Sequence, residues 1–205
     1  PNYNLDVGSG SHAEQTGRMM VGIEKVLQER RPDIVLVEGD TNTVLAGALG
    51  AIKLHVPVGH VEAGLRSYDR GMPEEINRIL ADHCSHLLFA PTQKAQKTLL
   101  CEGIPRKKIF VTGNTIVDAV YQNLALSKSH RDTVDDLNLD KDRYFLATIH
   151  RQENIDDERR LRGILKGLKA VDNRFGLQVI YPIHPRAKKR LKILALNPHP
   201  ITVIE

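Results

Sequence analysis

The sequence contains no tryptophan, and only four phenylalanines and five tyrosines among its 205 residues. Single-stranded nucleic acid is held largely by stacking on aromatic side chains, so no nucleic-acid partner is expected, although the net charge is +4. A small anionic ligand such as a nucleotide suits that charge equally well. Two cysteines, Cys84 and Cys101, lack C-x-x-C spacing and are too few for a disulfide scaffold, so reduced structural thiols are expected. No apolar run approaches the roughly 18 residues that a membrane span requires, and no signal peptide opens the chain. A cytoplasmic location without membrane contact is the expectation. Asp82-His83-Cys84-Ser85-His86 superficially suggests a metal site, but further ligands at zinc-like spacing are missing. The cluster is read as surface and core packing, with no metal and no cofactor expected. Internal repeats and low-complexity tracts are absent.

What the chain does have is 41% hydrophobic and 26% charged residues, the proportions of an ordinary globular protein, at a length that accommodates one or two domains. Pro1 to Val7 alternates weakly and reads as an edge strand. Gly8-Ser9-Gly10-Ser11-His12-Ala13 formally matches a dinucleotide-binding fingerprint, but no buried apolar strand precedes it. Ser11 with Glu14 is read instead as a capping box, opening a helix with an apolar stripe at Met19, Met20, Ile23, Val26 and Leu27. Pro32 ends that helix. Asp33 to Glu38 has the nearly continuous apolar character of a strand buried on both faces of a parallel sheet. A small-residue helix, Val44 to Leu54, and a strand ending at His60 complete a βαβ unit. Beyond it follow a helix from Pro73 to about His83, strand Leu87 to Ala90, a helix capped by Thr92, strand Ile109 to Val111, and a helix from Ile116 to about Leu126. Polar residues 127–142 read as a linker between a domain of residues 1–126 and another of residues 143–205. In the second, strand Tyr144 to Ile149, a helix from about Asp156 to Val171, strand Gln178 to Ile183, a basic helix Arg186 to Leu194 and strand Ile201 to Ile204 restart the alternation. The fold class is α/β.

Open α/β sheets bind ligands at the carboxyl ends of their strands. His60-Val61-Glu62-Ala63-Gly64-Leu65-Arg66 places Glu62 at such an end, and the right-handed crossover puts Asp40 on the same edge. Asp40 also suits a helix N-cap, and the two roles are compatible. Met72-Pro73-Glu74-Glu75 begins a helix with proline at its first position and acids in its first turn; for Glu75 alone, an ordinary acidic helix start is the preferred reading. Asn114 lies where a ligand edge is expected. His150-Arg151-Gln152-Glu153-Asn154, ahead of a helix, offers donors suited to phosphate. His184 ends another strand, and Arg186, Lys188, Lys189, Arg190 and Lys192 are read as a solvated helix face.

Val37-Glu38-Gly39-Asp40-Thr41, Gly59-His60-Val61-Glu62-Ala63-Gly64-Leu65-Arg66, Pro73-Glu74-Glu75-Ile76-Asn77-Arg78, Thr112-Gly113-Asn114-Thr115 with Asp118, and His150-Arg151-Gln152-Glu153-Asn154 together resemble the non-hydrolysing UDP-N-acetylglucosamine 2-epimerases. All five motifs occur in order across nearly the whole chain. The resemblance implies two Rossmann-like domains facing a cleft, a glycosyltransferase-B-like architecture, usually as a homodimer with the UDP-sugar substrate in the cleft. It implies cofactor-free inversion at C2 of UDP-N-acetylglucosamine, by elimination of UDP to 2-acetamidoglucal and re-addition. It assigns Asp40, Glu62 and Glu74 to acid/base work and His150 to assistance of the leaving UDP. Arg78, Asn114, Arg151 and Glu153 become candidate substrate-binding residues, and Arg151 with His184 a possible second nucleotide site.

There are departures. Members activated by a second UDP-sugar carry an Arg-Gln pair near the position of Ser9-Gly10, which argues against such activation here. Hydrolysing relatives lack the Pro-Glu-Glu-Ile-Asn-Arg segment, which disfavours hydrolysis. Alternatives within reach are a 2-epimerase of a UDP-diacetamido-uronic acid, a glycosyltransferase of the same fold, and a nucleotide-binding module without catalysis. The chain opens on Pro1 and stops within a strand-like run ending at Glu205, so an excerpt with both domains truncated is expected.

Overall fold

A computed structural model describes residues 2–127, 132–140 and 142–204. The chain forms two compact units, Pro1–Leu124 and Ala125–Glu205, each built on an all-parallel sheet.

The first unit begins with α1 (His12–Arg30). The Ser11 hydroxyl accepts from the Glu14 N–H at its start, and left-handed Arg31 returns its N–H to the Leu27 carbonyl at its end. Then come β1 (Val35–Glu38), α2 (Asn42–Lys53), β2 (Val58–Val61), α3 (Pro73–Cys84), β3 (Leu87–Ala90), α4 (Gln93–Cys101), a 3-10 turn at Arg106–Lys108, β4 (Ile109–Val111) and α5 (Thr115–Ser127). The sheet runs β1-β2-β3-β4, in register Val37↔His60↔Leu88↔Ile109. Small residues let α2 lie close: Ala46, Ala48 and Ala51 are fully buried, and Val37, Val58, Leu27 and Ala81 form one cluster with Ala48 and Ala51. A second cluster joins Leu88, Ala90 and Ile109 to Ala95 and Leu99 of α4. Each fully buried leucine of this kind contributes roughly 1.5–3 kcal/mol of transfer free energy.

Two expectations for this unit are corrected. Residues 2–7 form no strand. Leu5 instead lies against Gly22 of α1, and the Tyr3 hydroxyl meets Glu29 and Arg30, so the segment spends its apolar side on a helix rather than on a sheet edge. Nor is β1 buried on both faces. Val37 is 7% exposed but Leu36 is 62% exposed, because α1–α4 pack on the side of Val35, Val37, Val58, Leu88 and Ile109. Among the described residues of this unit, none forms a layer over Leu36 and Phe110 on the other side.

The second unit comprises α6 (Asp132–Asp136), β5 (Phe145–Leu146), α7 (Gln152–Asp156), α8 (Glu158–Phe175), β6 (Val179–Pro182), α9 (Pro185–Ile193) and β7 (Thr202–Ile204), with sheet order β5-β6-β7. Its core gathers Ile155, Leu161, Leu165, Val179, Tyr181 and Ala187. The helix expected from about Asp156 to Val171 is α8, whose start is capped by the Asp157 carboxylate accepting from the Arg160 N–H at 2.9 Å, whereas the short α7 just ahead of it was not expected. The region read as linker contains α6, and part of it lies outside the described residues.

Gly64 tests how tightly the first unit is built. Its φ is +80°, and a Cβ there would fall 2.4 Å from the Ala95 carbonyl oxygen and 2.8 Å from Leu99 Cγ. Gly64→Ala therefore adds the left-handed penalty of about 1–2 kcal/mol to an overpacking cost of about 1–3 kcal/mol. Equilibrium denaturation of the full-length protein should show a loss of at least about 2 kcal/mol. An unchanged midpoint would mean that α4 yields freely.

Candidate active site

The ends of β1 and β2 are set by their pairing. Glu38 lies opposite Val61, and the Gly39 N–H donates to the Val61 carbonyl at 3.2 Å, so Asp40 and Glu62 leave the sheet at one edge. Gly39 takes φ +85° and Glu62 takes φ +69°, a left-handed conformation that costs a non-glycine residue about 1–2 kcal/mol. The Glu62 carboxylate is thereby turned back over Gly39, with Oε2 at 3.8 Å from where a Cβ on that glycine would stand. Glu62 and Glu74 are both half-buried. Among the described residues neither carboxylate has a hydrogen-bond or ion-pair partner.

Helix α3 ties the loops together. Pro73 occupies its first turn together with Glu74 and Glu75. Arg78, one turn on, bridges Asp40 Oδ2 at 2.5 Å and Glu75 Oε2 at 3.1 Å. Asn77 donates from Nδ2 to the Asp40 carbonyl at 2.9 Å and to Asn42 Oδ1 at 3.2 Å. Glu75, 1% exposed, accepts from the Ser67 N–H at 2.8 Å, the Ser67 hydroxyl at 3.0 Å and the Tyr68 N–H at 3.0 Å. Its adjacent position to Glu74 gave it the look of a second acid at a helix start; in the fold it secures the loop after β2, while Glu74 remains open.

Beneath this rim lies a buried network. His60 and Asp82 are 0% and 1% exposed, with Nδ1 2.6 Å from Asp82 Oδ1 and Nε2 2.8 Å from the Gly39 carbonyl oxygen. Asp82 Oδ2 accepts from the Gly64 N–H at 3.1 Å and from Arg66 Nη2 at 2.7 Å. Arg66 also holds Glu102 through Nε at 2.9 Å and Nη2 at 2.6 Å. Burial works against the Arg66 charge, but the contacts to Glu102 and Asp82 outweigh it and hold the guanidinium above its ordinary pKa. From the sequence, Asp82 belongs to a stretch read as surface and core packing, and His60 is not singled out. The available signal was a histidine at an inward position of an otherwise apolar strand, which burial obliges to find partners.

In the second unit, exposed His150 follows β5, 3.5 Å from the Thr148 hydroxyl. Arg151 precedes α7 and pairs loosely with Glu153 at 3.7 Å. His184 caps α9, its Nδ1 accepting from the Arg186 N–H at 3.2 Å. Arg186 grips Asp156 at 3.1 and 2.5 Å, and Arg190 donates to the Asp156 carbonyl at 2.9 Å, so part of the basic face of α9 is an anchor for α7 rather than solvated charge. Asn114, half-buried after β4, accepts through Oδ1 from the Ile116 N–H at 3.0 Å and so starts α5. The described residues contain no cluster of three or more potential metal ligands and no helix long and apolar enough to cross a membrane.

The family model described as UDP-N-acetylglucosamine 2-epimerase matches residues 1–205. The UDP-N-acetylglucosamine 2-epimerase of Methanocaldococcus jannaschii is 56% identical over 195 residues, which are 94% of this chain and 53% of that protein. The UDP-2,3-diacetamido-2,3-dideoxy-D-glucuronate 2-epimerase of Pseudomonas aeruginosa is 45% identical over 197 residues, 96% of this chain and 54% of that protein. Among solved structures, the M. jannaschii UDP-GlcNAc 2-epimerase in complex with UDP-GlcNAc and UDP superposes with a TM-score of 0.92 at 53% identity, over 100% of this chain and 58% of that one. The Neisseria meningitidis UDP-GlcNAc 2-epimerase bound to UDP-GlcNAc gives a TM-score of 0.87 at 32% identity, with the same coverage. The chain thus spans about half the length of the curated relatives it matches.

Glu75 sets a pH dependence of the fold. Burial pushes its carboxyl upward, but the two backbone N–H groups, the Ser67 hydroxyl and Arg78 outweigh burial and hold it below the ordinary carboxylate value. A carboxyl lowered in the folded state stabilises the protein above its unfolded pKa, and that contribution is lost as pH falls through the folded one. Glu75→Gln in the full-length protein should cost about 1–3 kcal/mol near neutrality, and the deficit should shrink on acidification below about pH 4. Denaturation curves at both pH values check this; a deficit independent of pH would remove the charge from the account.

Proposed function

The chain belongs to the UDP-N-acetylglucosamine 2-epimerase family, and from that membership we propose that the full-length protein interconverts UDP-N-acetylglucosamine and UDP-N-acetylmannosamine. The observation that carries this reading down to residues is a pair of carboxylates without partners among the described residues, Glu62 at the strand edge and Glu74 in the first turn of α3, the helix whose Arg78 holds Asp40. Inversion at C2 requires a proton of high pKa to be removed from one face of the carbon and another delivered to the opposite face, so at least two positioned groups are needed. In the proposed course a carboxylate takes the C2 proton, the electron pair forms the C1–C2 double bond of 2-acetamidoglucal, and the C1–oxygen bond to UDP breaks. UDP then returns to C1 while a carboxylic acid protonates C2 on the other face. His150 is proposed to donate to the diphosphate as negative charge gathers on it. The identity shared with the P. aeruginosa enzyme supports one runner-up, 2-epimerisation of a UDP-diacetamido-uronic acid, and turnover of that sugar but not of UDP-N-acetylglucosamine would replace the first reading with the second.

The test is an NMR time course of the full-length protein with UDP-N-acetylglucosamine in D2O, in which the product should carry deuterium at C2. Protium fully retained at C2 would point to chemistry at another centre. Glu62→Gln and Glu74→Gln keep shape but remove the titrating group, and each should lose about 10² to 10⁴ in rate; full activity in both removes these residues from the mechanism. His150→Asn should lose about 2.7–4 kcal/mol of leaving-group stabilisation with its melting temperature unchanged, and near-normal turnover would assign His150 to structure.

A further inference from the structure

We propose that Asp82 is a positioning residue for the acid/base carboxylates, a role that rests on the functional reading above. One carboxylate, with no solvent access to its side chain, reaches both active-site loops through its two oxygens. Oδ1 bonds His60 Nδ1 at 2.6 Å, and the opposite ring nitrogen donates to the Gly39 carbonyl at 2.8 Å, the group immediately before Asp40. Oδ2 accepts from the Gly64 N–H at 3.1 Å, two residues after Glu62. His60 itself lies two residues before Glu62, so Asp82 fixes the backbone on both sides of that glutamate and, through the imidazole, the loop that carries Asp40.

These loops need an external constraint. Gly39, Glu62 and Gly64 all adopt positive φ, at +85°, +69° and +80°, and Glu62 has no side-chain partner of its own among the described residues. Its position over Gly39 therefore starts from where the backbone launches the side chain. The Gly39 carbonyl offers only an acceptor, so the imidazole must present Nε2–H to it, and the orientation of the ring is set by Asp82 at Nδ1. Arg66 neutralises Asp82 from the remaining side at 2.7 Å and has Glu102 as a second anchor. Removing the Asp82 charge therefore leaves the guanidinium paired.

Asp82→Asn keeps one acceptor oxygen where the carboxylate has two, so the contacts to His60 Nδ1 and to the Gly64 N–H are no longer both held by a carboxylate oxygen. The full-length variant should bind UDP at the wild-type stoichiometry and keep KM within about threefold, while kcat falls by about 10²-fold, the scale on which misplacement of about 1 Å acts. A merely structural residue would not pass the second measurement. In a double-mutant cycle, Glu62→Gln/Asp82→Asn should be no more than about threefold slower than Glu62→Gln alone, because Asp82 acts through Glu62 and the losses do not add. Should Asp82→Asn fail to fold, His60→Gln, which leaves the Asp82–Gly64 contact in place, carries the same expectations for kcat, KM and the cycle with Glu62→Gln. Absence of turnover in the wild-type protein overturns the functional reading and this proposal with it. Turnover in the wild type together with a kcat within threefold of it in the folded variant, or with losses that multiply in the cycle, overturns the proposal alone.

Discussion

The first unit depends on a buried ionic contact, that of Asp82 with His60 and Arg66. Isolated in an apolar interior, a carboxylate would be costly by several kcal/mol even after relaxation. It persists because both oxygens are occupied, by the imidazole on one side and by a guanidinium and a backbone N–H on the other. The contact joins elements that sequence keeps apart: the end of β2, the last turn of α3, the loop after β1 through the Gly39 carbonyl, and α4 through Arg66 and Glu102. Charge at the centre of the unit is thus a means of registering loops against helices, where an apolar cluster of the same volume would leave their backbone polar groups without partners.

Above that network the parallel register does the remaining placement. Since Val37 lies opposite His60 and Glu38 opposite Val61, any residue leaving β1 two positions on must emerge beside the residue leaving β2. Asp40 and Glu62 are neighbours for this reason, and α3 answers them with Arg78 toward Asp40 and with Glu74 left open. Glu75, one position along, faces inward and closes on Ser67 and Tyr68. Adjacent glutamates on a helix diverge by about 100°, following from 3.6 residues per turn, so one acts on the loop and the other on the rim.

This explains which parts were legible in the sequence. Strand ends were readable because β1, β2 and β3 are apolar runs with turn residues behind them, and the edge position of Asp40 and Glu62 follows from the handedness of a βαβ unit. The caps at Ser11 and Thr92 were readable from local chemistry. What depended on distant partners was not. Asp82 lies 22 positions from His60, and nothing local distinguishes it from a solvated acid near the end of a helix. The break between α7 and α8 turns on whether Asp157 continues a helix or caps one, a choice settled by how Ile155 and Leu161 share one core. The exposure of Leu36 was hidden for a related reason. An apolar run specifies that a strand has two apolar faces, not that elements of the same unit cover both.

The three acids on the rim are not equivalent, and the difference bears on how the proposed reaction would divide its labour. Asp40 is bonded to a guanidinium at 2.5 Å, and Arg78 is itself held by Glu75; to take up a proton, Asp40 must give up a charge-assisted bond to a cation that is not free to follow. Among the described residues, Glu62 and Glu74 have no such bond to lose. A group that must accept a proton in one half of a reaction and deliver one in the other works best when neither state is locked by a fixed counter-charge. On these contacts Glu62 and Glu74 are the better suited to exchange protons with C2, and Asp40 to hold Arg78 and the sugar in place. Glu62 is then the residue for which backbone geometry matters most, since its carboxylate leaves a left-handed backbone position and has no fixed partner of its own among the described residues.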